Sequence, residues 1–420
     1  MIATESARLF EPLTLPNGAV VPNRIAKAAM EENMADAGQV PGQALIRLYE
    51  RWAKGGAGLL LTGNVMIDAR AMTGPGGVVL EDDHAIDRFA AWAKAIRSGG
   101  AQAWMQINHP GRQMPASLGQ QAIAPSAVPL DLGKLSSIFA QPRAMTEADI
   151  ADIVARFART ASLAERAGFT GVQVHAAHGY LLSQFLSPLV NRRTDAWGGS
   201  LENRARLLLD VVRAVRRSVS PTFCVAVKLN SADFQRGGFD AEDAKTVAGW
   251  LNGMGVDLLE LSGGSYESPA MQGEQGEGST GAREAYFVDF AREIAALAEM
   301  PVMVTGGIRR RSVAEAALAP DGNRFAVAML GVATALTAEP SLPAKWRDGQ
   351  ALEIALPKVE WKNRPLAATA TMAIAKARLH RMGDGLEPGR SPSPVFSLIR
   401  DQLRARKLAK RYQAWMAARA

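Results

Sequence analysis

The sequence predicts a (β/α)8 barrel of the TIM type with a C-terminal helical extension, and three observations predict it. Short, continuously apolar runs alternate with amphipathic stretches. Eight such strand–helix pairs can be counted. Polar residues and glycines gather just after the runs, at Asn64, His109, His175, Lys228, Ser262-Gly263-Gly264, Gly306-Gly307 and Gly331. Strands buried on both faces of a parallel sheet read as unbroken hydrophobic runs, and in a β/α barrel the strand ends build the face that carries chemistry. A doubly wound open sheet is the competing architecture. Eight units, and no glycine-rich turn after the first strand, favour closure.

Taken in order, Arg24–Met30 reads as the first strand and Gln43–Lys54 as its helix, with Leu45, Leu48, Tyr49 and Trp52 on one stripe. Gly58–Ile67 and Asp83–Arg97 form the second pair. Ala101–Asn108 is the third strand, followed by a long Pro/Gly/Ser-containing excursion from Pro110 to Arg143; loops of that length inside compact domains are usually functional. Thr146 caps the next helix, which runs to about Ala167, with Asp149 three residues on. The second half repeats the pattern: Gly171–His175 with Leu201–Val219, Phe223–Leu229 with Asp240–Met254, and Asp257–Leu261 with Tyr286–Glu299. Pro301–Thr305 with Ser312–Ala319 follows, then Phe325–Leu330, after which Thr334–Thr337 opens a short helix.

The 420 residues suit a barrel of about 250 residues with added loops and an extension. Residues 1–350 read as the barrel domain and 351–420 as a basic, largely helical extension. A large core is available, since 48% of residues are hydrophobic and 21% charged. The single cysteine, Cys224, excludes a disulfide framework, a zinc cluster and an iron–sulfur centre built from this chain. It sits in Phe223-Cys224-Val225-Ala226-Val227 and reads as a small buried hydrophobe. No apolar run reaches the ~18 residues of a transmembrane helix. The first residues, with Glu5 and Arg8, hold no signal-peptide core. A cytoplasmic enzyme is the expectation. The net charge of +7 is uneven, with Arg400, Arg404, Arg406, Lys407, Lys410, Arg411 and Arg419 near the end. A basic tail suits nucleic acid or a membrane surface. No aromatic-interleaved or groove-reading motif accompanies it, so a helix packed on its own barrel, or on a second subunit of a homo-oligomer, is favoured.

The segment Gly171-Val-Gln-Val-His175-Ala-Ala-His178-Gly-Tyr180 carries the strongest chemical signal. Two imidazole N–H groups converging on one point suit a developing oxyanion, and a nearby tyrosine hydroxyl can supply a proton. Zinc binding would need a third ligand, for which only His109 is placed. Lys228, ending strand five, can stabilise negative charge on a reduced flavin or another anion, or snorkel to the rim. Gln106, inside an apolar run, needs a hydrogen-bond partner; a flavin edge or a backbone group would serve. Gly306-Gly307 and Gly331 follow strands seven and eight, where barrels place phosphate on bare backbone N–H groups. Gly276-Glu-Gly278-Ser-Thr-Gly281 matches the dinucleotide pattern but lacks the strand before it, and reads as a polar loop over the mouth.

These residues resemble the Old Yellow Enzyme family of NAD(P)H:flavin oxidoreductases, from about Leu9 to about Pro343. The resemblance rests on Leu9-Phe-Glu-Pro-Leu-Thr-Leu, Pro22-Asn-Arg-Ile25, Gln106-Ile-Asn-His109-Pro-Gly-Arg112, and the run His175 to Pro188 followed by Asn191 to Arg204. It implies FMN as bound cofactor and NADH or NADPH as diffusible reductant. It implies a small substrate with an activated alkene, bound through its carbonyl or other activating oxygen by His175 and His178. Tyr180 would donate the proton. Gln106, His175 and Lys228 would contact the isoalloxazine; Ala29, Met30 and Gly63 would line it. Gly306, Gly307, Gly331 and Val332 would hold the phosphate. Three positions depart from the pattern. Lys228 stands where the family usually has arginine, so the charge survives without bidentate geometry. Val332 stands where arginine often follows the glycine. Glu31 replaces the usual threonine or cysteine, where an inward carboxylate would make flavin reduction harder. The competing readings are an FMN-dependent amine dehydrogenase or demethylase, and a flavin-binding module without turnover.

Overall fold

The structure is a computed structural model that describes residues 8–268, 288–319, 327–357, 359–389 and 393–419. Eight parallel strands close on themselves. They are β1 (Ile25–Lys27), β2 (Leu59–Leu61), β3 (Gln102–Asn108), β4 (Gly171–Ala176), β5 (Cys224–Asn230), β6 (Leu258–Ser262), β7 (Val302–Thr305) and β8 (Met329–Val332). Each pairs with the next, and β8 pairs back onto β1 through Leu330↔Ile25 and Val332↔Lys27. Closure leaves no sheet edge, and the open-sheet alternative is set aside.

Around the barrel lie α1 (Gln43–Ala53), α2 (Ile86–Arg97), α3 (Glu147–Arg166), α4 (Leu181–Leu186), α5 (Leu201–Ser218), α6 (Ala241–Trp250), α7 (Val288–Ala295) and α8 (Arg311–Leu318). Short helices α9 (Ala335–Ala338) and α10 (Leu342–Arg347) follow β8. Two helix starts use side-chain caps that the sequence displays. Thr146 and Asp149 make a reciprocal capping box at α3, and Asp240 accepts from the Asp243 N–H at 2.9 Å to start α6. The stripe Leu45, Leu48, Tyr49 and Trp52 is fully buried against the barrel.

Several boundaries differ from expectation. The first strand ends at Lys27, because Ala28 is the last residue there that bonds across to β8, donating to Val332 O at 2.9 Å. The second run splits: β2 stops at Leu61, and Val65–Met66 pairs instead with Ile107 and Asn108 at the end of β3. The helix expected from Asp83 starts at Ile86 after a turn in which the Ile86 N–H donates to Asp83 O. The last strand runs Met329–Val332, later than expected, and residues 320–326 lie outside the described residues, as does the glycine pattern 276–281. The long excursion after β3 holds two 3-10 turns and a parallel ribbon, Ala122–Ala124 on Pro142–Ala144.

Strand alternation divides the interior into storeys. An apolar plug of Ala26, Leu59, Leu61, Trp104, Cys224, Ala226, Leu258, Met303 and Met329 fills the lower lumen. The N-terminal hairpin adds Leu13, Leu15 and Val21 beneath it. Cys224 is buried here, where burial pushes its thiol up to about 12, so it is an inert hydrophobe. Above the plug the lumen turns polar.

After β8 the chain forms an extension of two long helices, α11 (Arg364–Gly383) and α12 (Pro394–Ala417), which pack on each other and on the barrel. Tyr412 of the basic helix is completely buried and donates to Ala69 O at 2.7 Å. Among the described residues no helix is long and apolar enough to cross a membrane.

Candidate active site

The polar storey is built by register. His175 of β4, Lys228 of β5 and Glu260 of β6 are successive partners across three strands, so all three side chains face the lumen together. Lys228 Nζ lies 2.8 Å from Glu260 Oε1. Gln173 Nε2 donates to Glu260 Oε2 at 2.7 Å, and Gln106 Nε2 donates to Gln173 Oε1 at 2.8 Å. A hydrogen-bonded chain thus crosses the barrel from β3 to β6. It answers the need of Gln106 for a buried partner, since an unpaired buried amide costs free energy.

The histidine pair stands above this chain. The rings of His175 and His178 lie 5.1 Å apart, and that of Tyr180 lies 4.9 Å from His175. His175 Nδ1 accepts from the Ala177 N–H at 3.2 Å, which puts its proton on Nε2. His178 is a left-handed non-glycine residue, φ 60°, followed by Gly179 at φ 74°. Its backbone is fixed on both sides: its N–H donates to Asn230 Oδ1 at 3.0 Å, and its carbonyl accepts from Gln113 Nε2 at 2.9 Å. Its ring Nε2 lies 2.8 Å from Ser262 Oγ. Backbone held in so sparsely populated a region marks a site whose shape is over-determined.

Burial holds both imidazoles well below the usual histidine range, with His178 and Lys228 adding to the effect on His175 and Lys228 to that on His178, so both are neutral near pH 7. Burial also pushes the Tyr180 phenol well above its usual value, with Tyr266 and Glu31 adding to the effect. Tyr180 therefore keeps its proton, and its hydroxyl lies 3.0 Å from that of Tyr266. The Glu31 carboxylate accepts from Thr73 Oγ1 at 2.5 Å and Asn33 Nδ2 at 3.1 Å. Its charge acts on both Tyr180 and Tyr266 and helps to raise each phenol. His109 does not join the pair: its ring faces Asp68 and Arg156, and its Nδ1 accepts from the Gly111 N–H. Among the described residues no group of three His, Cys, Asp or Glu side chains is placed to hold a metal.

The remaining expected residues take two edges of the same mouth. Ala29 and Met30 leave β1 half-buried, and a Cβ on buried Gly63 would fall 2.2 Å from Met30 O, so only glycine allows that approach. Across the barrel, Gly306 and Gly307 follow β7, and Gly331 sits inside β8, where a Cβ would fall 1.9 Å from Thr305 Oγ1. Val332 is 1% exposed and turns its side chain into the core, offering only main chain. Ile308 and then three arginines, Arg309, Arg310 and Arg311, follow the glycine pair.

Sequence reasoning placed Ser262 at a strand end without its histidine partner, and missed Glu260, Gln173, Asn230 and Tyr266. Glu260 had a legible signal, a lone acid in Leu258-Leu-Glu-Leu261 that must find a cation, with a lone lysine in the strand before. Tyr266 had none, because it reaches Tyr180 from a loop.

The lumen tests well as a berth for FMN. Asn108 is wholly buried with neither amide atom bonded, and Thr305 Oγ1 and Asn64 Oδ1 are likewise buried without a partner. These atoms, with Gln106, Lys228 and the His175 Nε2–H, form a donor and acceptor set of the kind a flavin's heteroatom edge demands, and glycine backbone at β7–β8 suits its phosphate.

A closed β/α barrel with this polar storey is the frame of a flavin-dependent oxidoreductase. Residues 8–353 match the NADH:flavin oxidoreductase / NADH oxidase family, and the chain belongs to it, within the Old Yellow Enzyme group that the sequence resembles. It is 37% identical over 388 residues to the NADH-dependent flavin oxidoreductase iliE of Hypocrea jecorina (strain QM6a), across 86% of this chain and 95% of that one. The structure of morphinone reductase in complex with tetrahydroNAD superposes with a TM-score of 0.68 at 27% identity, covering 83% of this chain and 92% of that one. The Old Yellow Enzyme homologue from Zymomonas mobilis shares the fold, with a TM-score of 0.69 at 24% identity over 83% of this chain and 95% of that one. The protein is an NAD(P)H:flavin oxidoreductase with FMN as cofactor. The reading as a binding module without turnover is set aside.

Proposed function

We propose that the protein reduces C=C bonds conjugated to a carbonyl or nitro group. The observation that carries this is the neutral pair His175 and His178 beside a protonated Tyr180, at the strand end that Lys228 shares. FMN, once bound and reduced by NAD(P)H, supplies the hydride to the β-carbon. The His175 Nε2–H would meet the substrate oxygen, and His178 would offer it an Nδ1–H when the Ser262 hydroxyl donates to its Nε2. Neutral imidazole N–H groups stabilise the oxyanion that develops there. Tyr180 gives its proton to the α-carbon, and the Tyr266 hydroxyl steadies the phenolate left behind. Gln106 and Lys228 face the cofactor's heteroatom edge, with Ala29, Met30 and Gly63 as one wall. Gly306, Gly307, Gly331 and the Val332 main chain take the phosphate.

Replacing Tyr180 with Phe is expected to slow substrate reduction by about a hundredfold or more, while NADH still bleaches the flavin at close to the normal rate. Stopped-flow measurement of the two half-reactions separates them. Equal slowing of both would defeat the assignment of Tyr180.

A second reading is favoured by one observation. The Glu31 carboxylate acts electrostatically on Tyr180 and Tyr266, and a carboxylate with aromatic faces suits a protonated amine. Flavin bleaching by amines under anaerobic conditions, compared with NADPH-driven alkene turnover, decides between the two.

A further inference from the structure

The family match ends at residue 353, and two long helices lie beyond it. Several of their bonds to the barrel fall along one line. His380 Nε2 donates to Glu32 O at 3.3 Å. Arg411 donates to Ala35 O at 2.6 Å, Tyr412 to Ala69 O at 2.7 Å, and Gln413 to Ser117 O at 2.8 Å. Arg419 lies 2.5 Å from Glu81. Apolar contacts follow the same line. Tyr412 is buried with Met66, Ala69, Met72, Val79, Met114 and Leu118, and a Cβ on Gly76 would fall 2.9 Å from Leu408 Cδ1. Apart from contacts with α1 and α9, these anchor points lie on the loops after β1, β2 and β3.

Those loops carry Ala29, Met30, Glu31, Gly63 and Asn64. The loop after β1 is conformationally demanding: Asn33 at φ 53° and Gln39 at φ 56° are both left-handed without being glycine. Such residues persist only where their surroundings hold them. The carbonyls of Glu32 and Ala35, on either side of Asn33, are the ones the extension binds. Glu32 also reaches across to β2, where its carboxylate accepts from the Gly63 N–H at 3.2 Å. A pull on Glu32 is therefore felt at Gly63.

We infer that helices α11 and α12 are a working part of the flavin site: through His380, Arg411 and Tyr412 they hold the β1 and β2 loops in the shape that walls the cofactor. The three are positioning residues, and the inference rests on the assignment of the lumen to FMN. Three of the bonds end on main-chain carbonyls of these loops, which makes them a brace on backbone shape. The basic character of α12 has a local use as well, since Arg411 and Arg419 spend their charge on the barrel.

The test uses full-length Tyr412→Phe, Arg411→Met and Arg411→Lys. Tyr412→Phe keeps the buried ring and removes one bond, so it folds even if a larger change would not. Amide exchange, FMN dissociation and steady-state constants are measured on each. Tyr412→Phe and Arg411→Met are expected to speed exchange across residues 31–38 and 66–72 by about threefold to tenfold, as one lost hydrogen bond each would. Exchange in α5 stays unchanged. FMN is held more weakly by a similar factor, and substrate KM rises more than kcat falls. Arg411→Lys restores most of each. Unchanged loops and unchanged FMN affinity would overturn the inference, as would faster exchange shared with α5, which would mean a general loss of stability. Wild-type protein that takes up no FMN would defeat the flavin assignment itself, a result distinct from flavin retained behind unaltered loops.

Discussion

Lys27 and Lys228 are both buried lysines on barrel strands, and each faces a buried glutamate. Lys228 points into the lumen, 2.8 Å from Glu260, at the level of His175. Lys27 points outward, between β1 and α1. It donates to Leu61 O at 2.7 Å and Tyr49 OH at 3.0 Å, sits over the rings of Tyr49 and Trp52, and lies 3.6 Å from Glu32. Burial pushes Lys27 down to about 8 and pushes the Glu32 carboxyl up, each opposed by the other's charge. The same residue pair thus serves two ends. On the lumen side the pair stands at the level of His175, where the proposed function gives Lys228 a ligand to meet besides Glu260. On the outer side it is consumed by the scaffold. Residue type does not distinguish them; the side of the strand does.

The histidines divide along the same line, and acid should reveal them together with the largest effect. His175 and His178 sit in the lumen, while His109 and His380 are packed outside it. All four are lowered by burial, His109 to about 4 and His380 to about 3. Their folded-state values lie below the unfolded value of about 6.5, so the unfolded chain binds protons first as pH falls. Stability present above pH ~6.5 is therefore lost progressively down to pH ~4, at up to about 1.4 kcal/mol per pH unit for each group. Urea midpoints between pH 7.5 and 4.5 check this. In His109→Gln the slope should be shallower by one group, and a flat profile would show that these imidazoles are more open to water than the packing indicates.

Lys27→Met comes next. It strands a buried carboxylate, a change that costs about 3–5 kcal/mol. Combining it with Glu32→Gln should recover most of that loss, because two neutral groups remain. If the single replacement left the denaturation midpoint untouched, the outward pair would not be the structural element described. The smallest effect expected is that of Lys228→Met on chemistry. Losing the cofactor contact proposed for Lys228 should slow flavin reduction by NADH by about tenfold to a hundredfold, with Lys228→Arg retaining most of the rate. The contrast sharpens when both lysine variants are compared per folded molecule. Lys27→Met should reduce flavin much as wild type does, and a rate loss matching that of Lys228→Met would erase the distinction between the two sides.

Much of this architecture was legible beforehand. Eight apolar runs, the cap at Thr146, the cap at Asp240 and the stripe on α1 are local features, and local features are written in neighbouring residues. The grouping of His175, His178 and Tyr180 was legible because all three lie within one strand end and its turn. Glu260 was half legible, as an acid among leucines. Tyr266 and Asn230 were not, and of Ser262 only its place at a strand end was, since each meets the histidines or Tyr180 across more than fifty residues of chain.

The sequence alone determined the alternation, the strand ends that bear polar groups, the lone buried cysteine and the resemblance to flavin oxidoreductases. Those follow from periodicity, composition and contiguous motifs. Barrel closure through β8 and β1, the register that sets Lys228 between His175 and Glu260, and the seat of the basic helix on the β1 and β2 loops were decided only in three dimensions. Pairing register and helix docking depend on how distant surfaces fill space together, and no local stretch of sequence contains that information.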